Sequence, residues 1–144
     1  MTLPDPELYA EFYTDVPLKR ASAWAIDLVV TLGLTLVAVA LTLFIGAFFL
    51  PLFFAAVSIA YRTVMLGRYG ATFGMMIMAL KWRRLDGQPP EPATAFAYAA
   101  LHTGLWAVFP LQIASMAMIL LTPYRQGLHD TMLGTTMLHR FAPE

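Results

Sequence analysis

Asp27 is the residue of this sequence that most needs an explanation, because it is a carboxylate inside a long apolar segment. By helical rise it lies about 10 Å beyond Arg20, the last basic residue before that segment. A carboxylate at the middle of a membrane helix costs about 2.5 to 3.5 kcal/mol, and a shallower one still needs a partner, water or a proton. Two interpretations are open: an ion or proton site at Asp27, or a network that fixes helix register.

Arg62 is the basic residue best placed to pair with Asp27. It stands near the end of a second apolar stretch, and in an antiparallel hairpin this level coincides with that of Asp27. Arg20 shares a helix face with Asp27, since seven residues make about two turns, but it lies too far along the axis for easy contact. We therefore predict an Asp27–Arg62 pair.

A second polar constellation follows the last apolar zone, where residues 123–130 read PYRQGLHD and supply Arg125, His129 and Asp130. A His-Asp doublet suggests metal chemistry, but metal phosphohydrolases that use one also need further His and Asp ligands, which this chain does not offer in a matching pattern. The sequence instead favours a polar cap under the helices, within reach of Arg20.

The sequence contains no recognisable catalytic motif. A Ser-His-Asp triad, a glycine-rich phosphate loop, paired glycosidase carboxylates and an HExxH helix are all missing. The absence of cysteine excludes disulfides, thiolate zinc sites and thiol catalysis. The methionines at 75, 76 and 78 stand in an apolar context that predicts packing and not soft-metal binding. We expect no enzyme activity, no metal and no cofactor.

Composition points to the membrane. Hydrophobic residues make up 59% of the 144 residues and charged residues 12%, against about 45–50% and about 25% in soluble domains. Such a chain could not cover a soluble surface, so the lipid bilayer is the expected surrounding. The net charge of zero gives no reason to expect a nucleic-acid partner. Residues 1–18 lack the basic cluster and apolar core of a signal peptide, so we expect the first helix to remain in the membrane.

Residues 21–66 predict a transmembrane hairpin. From Trp24 to Leu66 one straight helix would measure about 65 Å, whereas the hydrocarbon core is about 30 Å thick. Gly46 and Pro51 mark the turn between two crossings. Residues 70–85, a short Met-rich run with basic residues at its end, suit a segment on the membrane surface. A short helix or strand packed on the base of the bundle is the alternative.

Residues 93–122 are a third apolar zone, with His102 and Gln112 as its strongly polar side chains. The zone is either one kinked crossing or two shorter helices bent back at Phe109-Pro110. All nine basic residues lie outside 21–61 and 85–124. By the positive-inside rule both ends of the hairpin are therefore cytoplasmic.

Arg125 and Arg140 are cytoplasmic as well only if the third zone folds back. We predict an all-α membrane protein, a bundle of three to four membrane segments, in a bacterial inner membrane with both termini in the cytoplasm. The predicted divisions are a cytoplasmic arm at 1–18, a transmembrane domain at 19–140 and a short tail at 141–144.

Several motifs of the chain resemble those of the RDD family of small bacterial membrane proteins, named for one arginine and two aspartates. The matching positions, spread over residues 18–138, are Lys19-Arg20-Ala21 with Asp27, Tyr61, Thr72-Phe73-Gly74, Asp86-Gly87, and PYRQGLHD with Gly134-Thr135 after it. The named family residues fall on Arg20, Asp27 and Asp130. Two positions depart from the family pattern, with Met75 and Ala100 where members usually carry a basic residue.

The resemblance implies structural roles for Thr72, Gly74, Gly127, Gly134 and Thr135. Transport of unidentified ligands is suspected for the family, which implies transport of an ion or small ligand here. The expected polar network or ligand site consists of Arg20, Asp27, Arg62, Arg125, His129 and Asp130. The alternative is a non-enzymatic accessory or assembly subunit. A homo-oligomer or a larger membrane complex is the expected assembly.

Overall fold

The computed structural model describes residues 3–142, and most of them are helical. Within these residues, six α-helices and two strands follow one another. Their bounds are α1 Val16–Leu41, α2 Leu50–Tyr69, α3 Phe73–Ile77, β1 Leu80–Arg84, α4 Pro92–Ala107, α5 Phe109–Leu121, α6 Leu128–Leu133 and β2 Thr135–His139, with 3₁₀ turns at Ala10–Phe12 and Ile45–Phe49.

The first two long helices form the predicted hairpin. Both α1 and α2 are long and apolar enough to cross a membrane, and a proline stands in the first turn of each, where its missing N–H costs nothing. The connection between them holds Leu43 and Phe44 in the left-handed region, at φ values of 51° and 66°. We call this end of the hairpin the tip, and the end with Val16 and Tyr69 the base.

The third apolar zone is broken into α4 and α5, whose axes are bent by 120° at Val108. Pro110 stands in the first turn of α5, where it ends the preceding helix because its ring excludes a helical continuation. By helical rise α4 is about 24 Å long and α5 about 20 Å, so neither spans a core of about 30 Å alone. Of the two open interpretations, the structure has the two shorter helices, and α5 leads back to α6 at the base.

The base carries a small antiparallel sheet that the all-helical prediction did not include. Strand β1 pairs with β2 from Leu80 opposite His139 to Arg84 opposite Thr135. The predicted surface segment 70–85 is therefore a short helix and a strand packed on the bundle, which was the alternative interpretation. The physical reason is that Trp82 is fully buried and Leu80 nearly so, so this apolar run faces protein and not lipid.

The hydrophobic core lies at the base and not along the whole bundle. Its buried members come from α1, α2, the turn before α3, α3, α4 and both strands: Val16, Ala23, Leu66, Ala71, Met75, Leu80, Trp82, Ala95, Tyr98 and Met137. Towards the tip most large apolar side chains are exposed, as expected of helices that face lipid.

The described part of the N-terminal arm packs on the base as well. Tyr13 is buried beside Leu138, and its hydroxyl donates a hydrogen bond to the Pro4 carbonyl at 2.9 Å. The helix α1 begins at Val16, inside the predicted arm. Of the predicted tail, Ala142 accepts a hydrogen bond from Lys81 Nζ, and residues 143–144 lie outside the described residues.

Candidate functional site

The Asp27 carboxylate is buried and accepts hydrogen bonds from four groups. Its Oδ1 accepts from the Tyr61 hydroxyl at 2.8 Å and from the Gly74 amide at 2.9 Å. Its Oδ2 accepts from Thr72 Oγ1 at 2.6 Å and lies 3.5 Å from Arg62 Nη1. These donors satisfy both carboxylate oxygens. The structure thus places Arg62 beside Asp27, and it adds three donors that sequence reasoning did not assign to this carboxylate.

The Thr-x-Gly motif brings two of those donors to Asp27. Thr72 is the N-cap of α3, where its side chain accepts from the Met75 amide while its hydroxyl donates to Asp27. A Cβ added at Gly74 would lie only 2.1 Å from the Ala23 carbonyl oxygen. Because only glycine allows this approach, the motif docks α3 directly on the backbone of α1.

Arg20 and Asp130 form the second buried ion pair, with 2.6 Å between Nη2 and Oδ2. Asp130 also accepts from the Gly127 amide at 3.0 Å and from Thr135 Oγ1 at 3.3 Å. Burial alone would raise the pKa of Asp130, but the Arg20 guanidinium and the Gly127 amide hold it below its usual value. Asp130 is therefore a carboxylate at neutral pH, and it ties the start of α1 to α6.

The Arg125 side chain does not join the predicted network. Its Nη1 donates to the Leu120 carbonyl at 2.5 Å, which closes the end of α5, while only its backbone carbonyl accepts from Arg20 Nη1 at 3.2 Å. The reason is the local backbone, because Arg125 has a φ of 53° and turns its side chain towards α5. The prediction that Arg125 lies at the base agrees with the structure, whereas its guanidinium contacts the end of α5 and not the acidic residues of the network.

Two glycines of the closing motif have distinct structural reasons. A Cβ at Gly127 would lie 2.7 Å from Ser115 Oγ. This oxygen accepts a hydrogen bond from the Leu128 amide at 2.9 Å. Gly134 ends α6 at a φ of 62°, in the left-handed region that favours glycine.

His129 is buried next to Tyr98. Its Nε2 lies 3.1 Å from the Tyr98 hydroxyl and 3.8 Å from Asp130 Oδ2. Burial lowers the pKa of His129 to about 4, so the ring is neutral at pH 7. The His102 ring lies 5.4 Å away in an edge-on arrangement. Within residues 3–142 no group of three or more acidic or histidine side chains is arranged to hold a metal ion.

Two cavities of about 400 Å³ each lie along α1, one above the other. The base cavity lies among α1, α4, α5 and α6 and is lined by residues that include Arg20, Asp27, Gln112, Ser115 and His129. The tip cavity lies among α1, α2 and α4 and is lined by residues that include Thr31, Pro51, Ser58 and Thr103.

Both cavities share four lining residues, Trp24, Arg62, His102 and Trp106. The Trp24 and Trp106 rings stack with centroids 5.2 Å apart and 20° between their planes. This stack stands where the cavities meet. The sequence signal that could have found the site is the pair of strongly polar residues in the third zone, His102 and Gln112, which both line the base cavity.

The model of the RDD family matches residues 15–134, close to the 18–138 over which the motifs resemble that family. The curated proteins and the solved structures offered no match. The matched range contains Arg20, Asp27 and Asp130 and covers most of the chain, so the chain belongs to the RDD family.

Proposed function

We propose that this membrane protein has a transport-type function, in which a small ligand passes between the tip cavity and the base cavity. The observation that carries the proposal is the geometry of the two cavities: they share Trp24, Arg62, His102 and Trp106, and the stacked indoles stand between them. Movement of one indole would join the two volumes into one passage.

In this proposal Asp27 holds the wall of the passage and does not bind the ligand itself. Four donors already occupy its oxygens, so an ion would have to displace protein groups to reach the carboxylate. Arg20 and Asp130 close the base in the same way, as a direct pair. The four hydrogen bonds to Asp27 therefore support the structural interpretation of this residue over an ion or proton site.

We further propose that the base faces the cytoplasm of a bacterial inner membrane. Lys19 and Arg20 lie near the base end of α1, and Arg62 and Arg68 lie near that of α2. The return of α5 brings Arg125 to the same end. The positive-inside rule supports this orientation. The tip, which has no charged residue between 28 and 61, then lies at the outer face.

Proteoliposomes test the transport proposal. Na⁺, K⁺ and proton fluxes are followed with entrapped indicator dyes, and movement of an NBD-labelled single-chain amphiphile between leaflets is followed by dithionite quenching. The wild-type protein is expected to accelerate at least one of these over protein-free vesicles. Trp106→Ala is expected to change that rate at least threefold, because it removes one face of the stack.

Phe109→Ala is the matched control, since Phe109 is 61% exposed and lines neither cavity. A wild-type protein that moves none of the four probes would overturn the proposal. Equal effects of Trp106→Ala and Phe109→Ala would contradict the role of the stacked indoles as the barrier between the two cavities.

A second candidate function, an accessory subunit of a larger membrane complex, is favoured by the tip. Large apolar side chains there are widely exposed, among them Leu43, Phe44, Ile45, Phe48 and Phe49. Such a patch at the outer interface suits another membrane protein as well as lipid. Purification in mild detergent separates the candidates: a stoichiometric partner that Phe48→Asn releases supports the accessory role, and a pure homo-oligomer supports transport.

A further inference from the structure

We infer that the base cavity binds a lipid-soluble molecule with an apolar tail and an uncharged ring that carries hydroxyl or carbonyl oxygens, and that this molecule enters from the bilayer between α1 and α5. The inference rests on the proposed function and names the class of ligand for the same site.

The walls of the base cavity suit an apolar ring. Its volume of about 400 Å³ lies in the range of small-molecule sites. The indoles of Trp24 and Trp106 form one end, and Met116 and Ile119 form part of the side. Flat aromatic walls favour a planar ring that stacks or packs edge-on against them.

Three deeply buried side chains that line this cavity have a polar atom without a hydrogen-bond partner among the described residues. They are Arg62 Nε, Gln112 Oε1 and His129 Nδ1, on side chains from residues no more than 6% exposed. A buried polar atom is costly to leave unpaired. The guanidinium donates, the amide oxygen accepts, and a neutral imidazole nitrogen does either, so together they match hydroxyl and carbonyl oxygens.

The charges around the cavity do not favour an ion. Asp27 lies beside Arg62, and Asp130 pairs with Arg20, so the two carboxylates and two guanidiniums balance. Of the buried side-chain oxygens that line the cavity in the described structure, Gln112 Oε1 alone lacks a partner. A bare cation needs several oxygen ligands, whereas an uncharged head needs only one or two hydrogen bonds.

The way in lies between α1 and α5. Helix α1 packs on α2, α3 and the strands, and α5 packs on α4 and α6, while α1 and α5 do not pack closely on each other. Ala21 and Ala25 are exposed on the α1 side of the cavity, and Met116 and Leu120 are exposed on the α5 side. Since small side chains leave space between helices and this part of α1 lies in a membrane span, the gap opens to lipid.

Photoaffinity labelling of the full chain in lipid nanodiscs tests the inference. The probe is 4-octylphenol with a diazirine in its alkyl chain, and labelled residues are located by mass spectrometry. We expect labelling to concentrate in residues 21–25 and 112–120. Unlabelled 4-octylphenol is expected to reduce it at least fivefold, while octylbenzene, which lacks the hydroxyl, and the charged 4-octylbenzoate at equal membrane concentration are not.

Two substitutions make the test specific to the site. Ala25→Phe fills the gap and is expected to reduce labelling at least fivefold, whereas Ala40→Phe, at an exposed position of α1 that lines neither cavity, leaves it unchanged. Gln112→Leu keeps the side-chain volume and removes the unpaired oxygen. It is expected to weaken competition by 4-octylphenol about tenfold. Size-exclusion chromatography in detergent checks that each variant elutes like the folded wild type.

Labelling spread over all lipid-facing residues, or equal competition by octylbenzene, would overturn the inference. So would efficient disulfide cross-linking of two Ala25→Cys chains, because a second copy would then occupy the gap. The transport proposal is tested separately by the flux measurements. Ion flux without labelling of the cavity would contradict the ligand class inferred here but not transport, and labelling without any flux would contradict transport but not ligand binding.

Discussion

The Gly74 amide donates to Asp27 Oδ1 at 2.9 Å, and this bond is possible only because Gly74 has no side chain. The helix that carries Gly74 touches the backbone of α1 at Ala23, one turn before the carboxylate. One contact therefore satisfies a buried charge and joins α3 to α1.

Substitution of Gly74 by alanine is expected to destabilise the protein strongly. The new Cβ would lie 2.1 Å from the Ala23 carbonyl oxygen, and overpacking costs about 1 to 3 kcal/mol, occasionally more; contact with a backbone atom that cannot rotate away favours the upper end. Thermal unfolding in detergent measures the loss. Gly33→Ala is the matched control, because nothing lies within 4 Å of a Cβ there, and alanine in a helix is favoured over glycine by about 1 kcal/mol. Equal melting temperatures for the two variants would contradict the docking role of Gly74.

Replacement of Asp27 by asparagine is expected to lower stability by about 3 kcal/mol, because it leaves the buried Arg62 without its counter-charge. The asparagine amide would also face Thr72 Oγ1 or Arg62 Nη1, which are donors in the native structure. Thermal unfolding measures this loss, and Thr35→Val, a polar position further along α1 that bonds only within its own helix, is the control with a small effect.

The same Asp27→Asn protein separates a structural role from a titrating one. If Asp27 holds the wall of the passage, the flux per folded molecule keeps its pH profile. An unchanged melting temperature together with abolished flux would instead identify Asp27 as the group that binds the ion or proton.

The buried His129 predicts a loss of stability as the pH falls from about 6.5 to 4. Burial lowers its pKa in the folded protein to about 4, while the unfolded chain takes up the proton near 6.5. The unfolded state therefore binds more protons in this interval, and the free energy of unfolding falls by up to about 3 kcal/mol. Asp130, with a lowered pKa, loses its contribution only below its ordinary value near 4.

Melting temperatures of the wild type and two variants between pH 7 and 4 check this prediction. His129→Gln is expected to reduce the slope clearly, and His139→Gln, at a position near the surface of the sheet, to retain most of it. A pH dependence that persists in His129→Gln and disappears in His139→Gln would contradict the prediction and attribute the loss of stability to His139.

Local features of the sequence were enough for the membrane hairpin and for part of the polar network. The length of residues 21–66 exceeds one crossing, which forces a turn wherever the tip lies. The pairing of Asp27 with Arg62 follows from antiparallel helices, since their levels coincide. The cap formed by Asp130 near Arg20 was likewise predictable, because both lie just outside the apolar segments at the same end.

Only the tertiary structure decided which groups complete the site. Tyr61 reaches Asp27 because α2 packs on α1, and Thr72 and Gly74 reach it because α3 packs on α1. Nothing in their local pattern specifies these approaches. Strand β1 needs β2, far along the chain, to satisfy its backbone, so the sheet is invisible to periodicity alone. The base cavity arises where α1 and α5 do not pack closely on each other. Hydropathy and charge act along the chain and determined the membrane segments, whereas close packing acts between distant residues and determined the site.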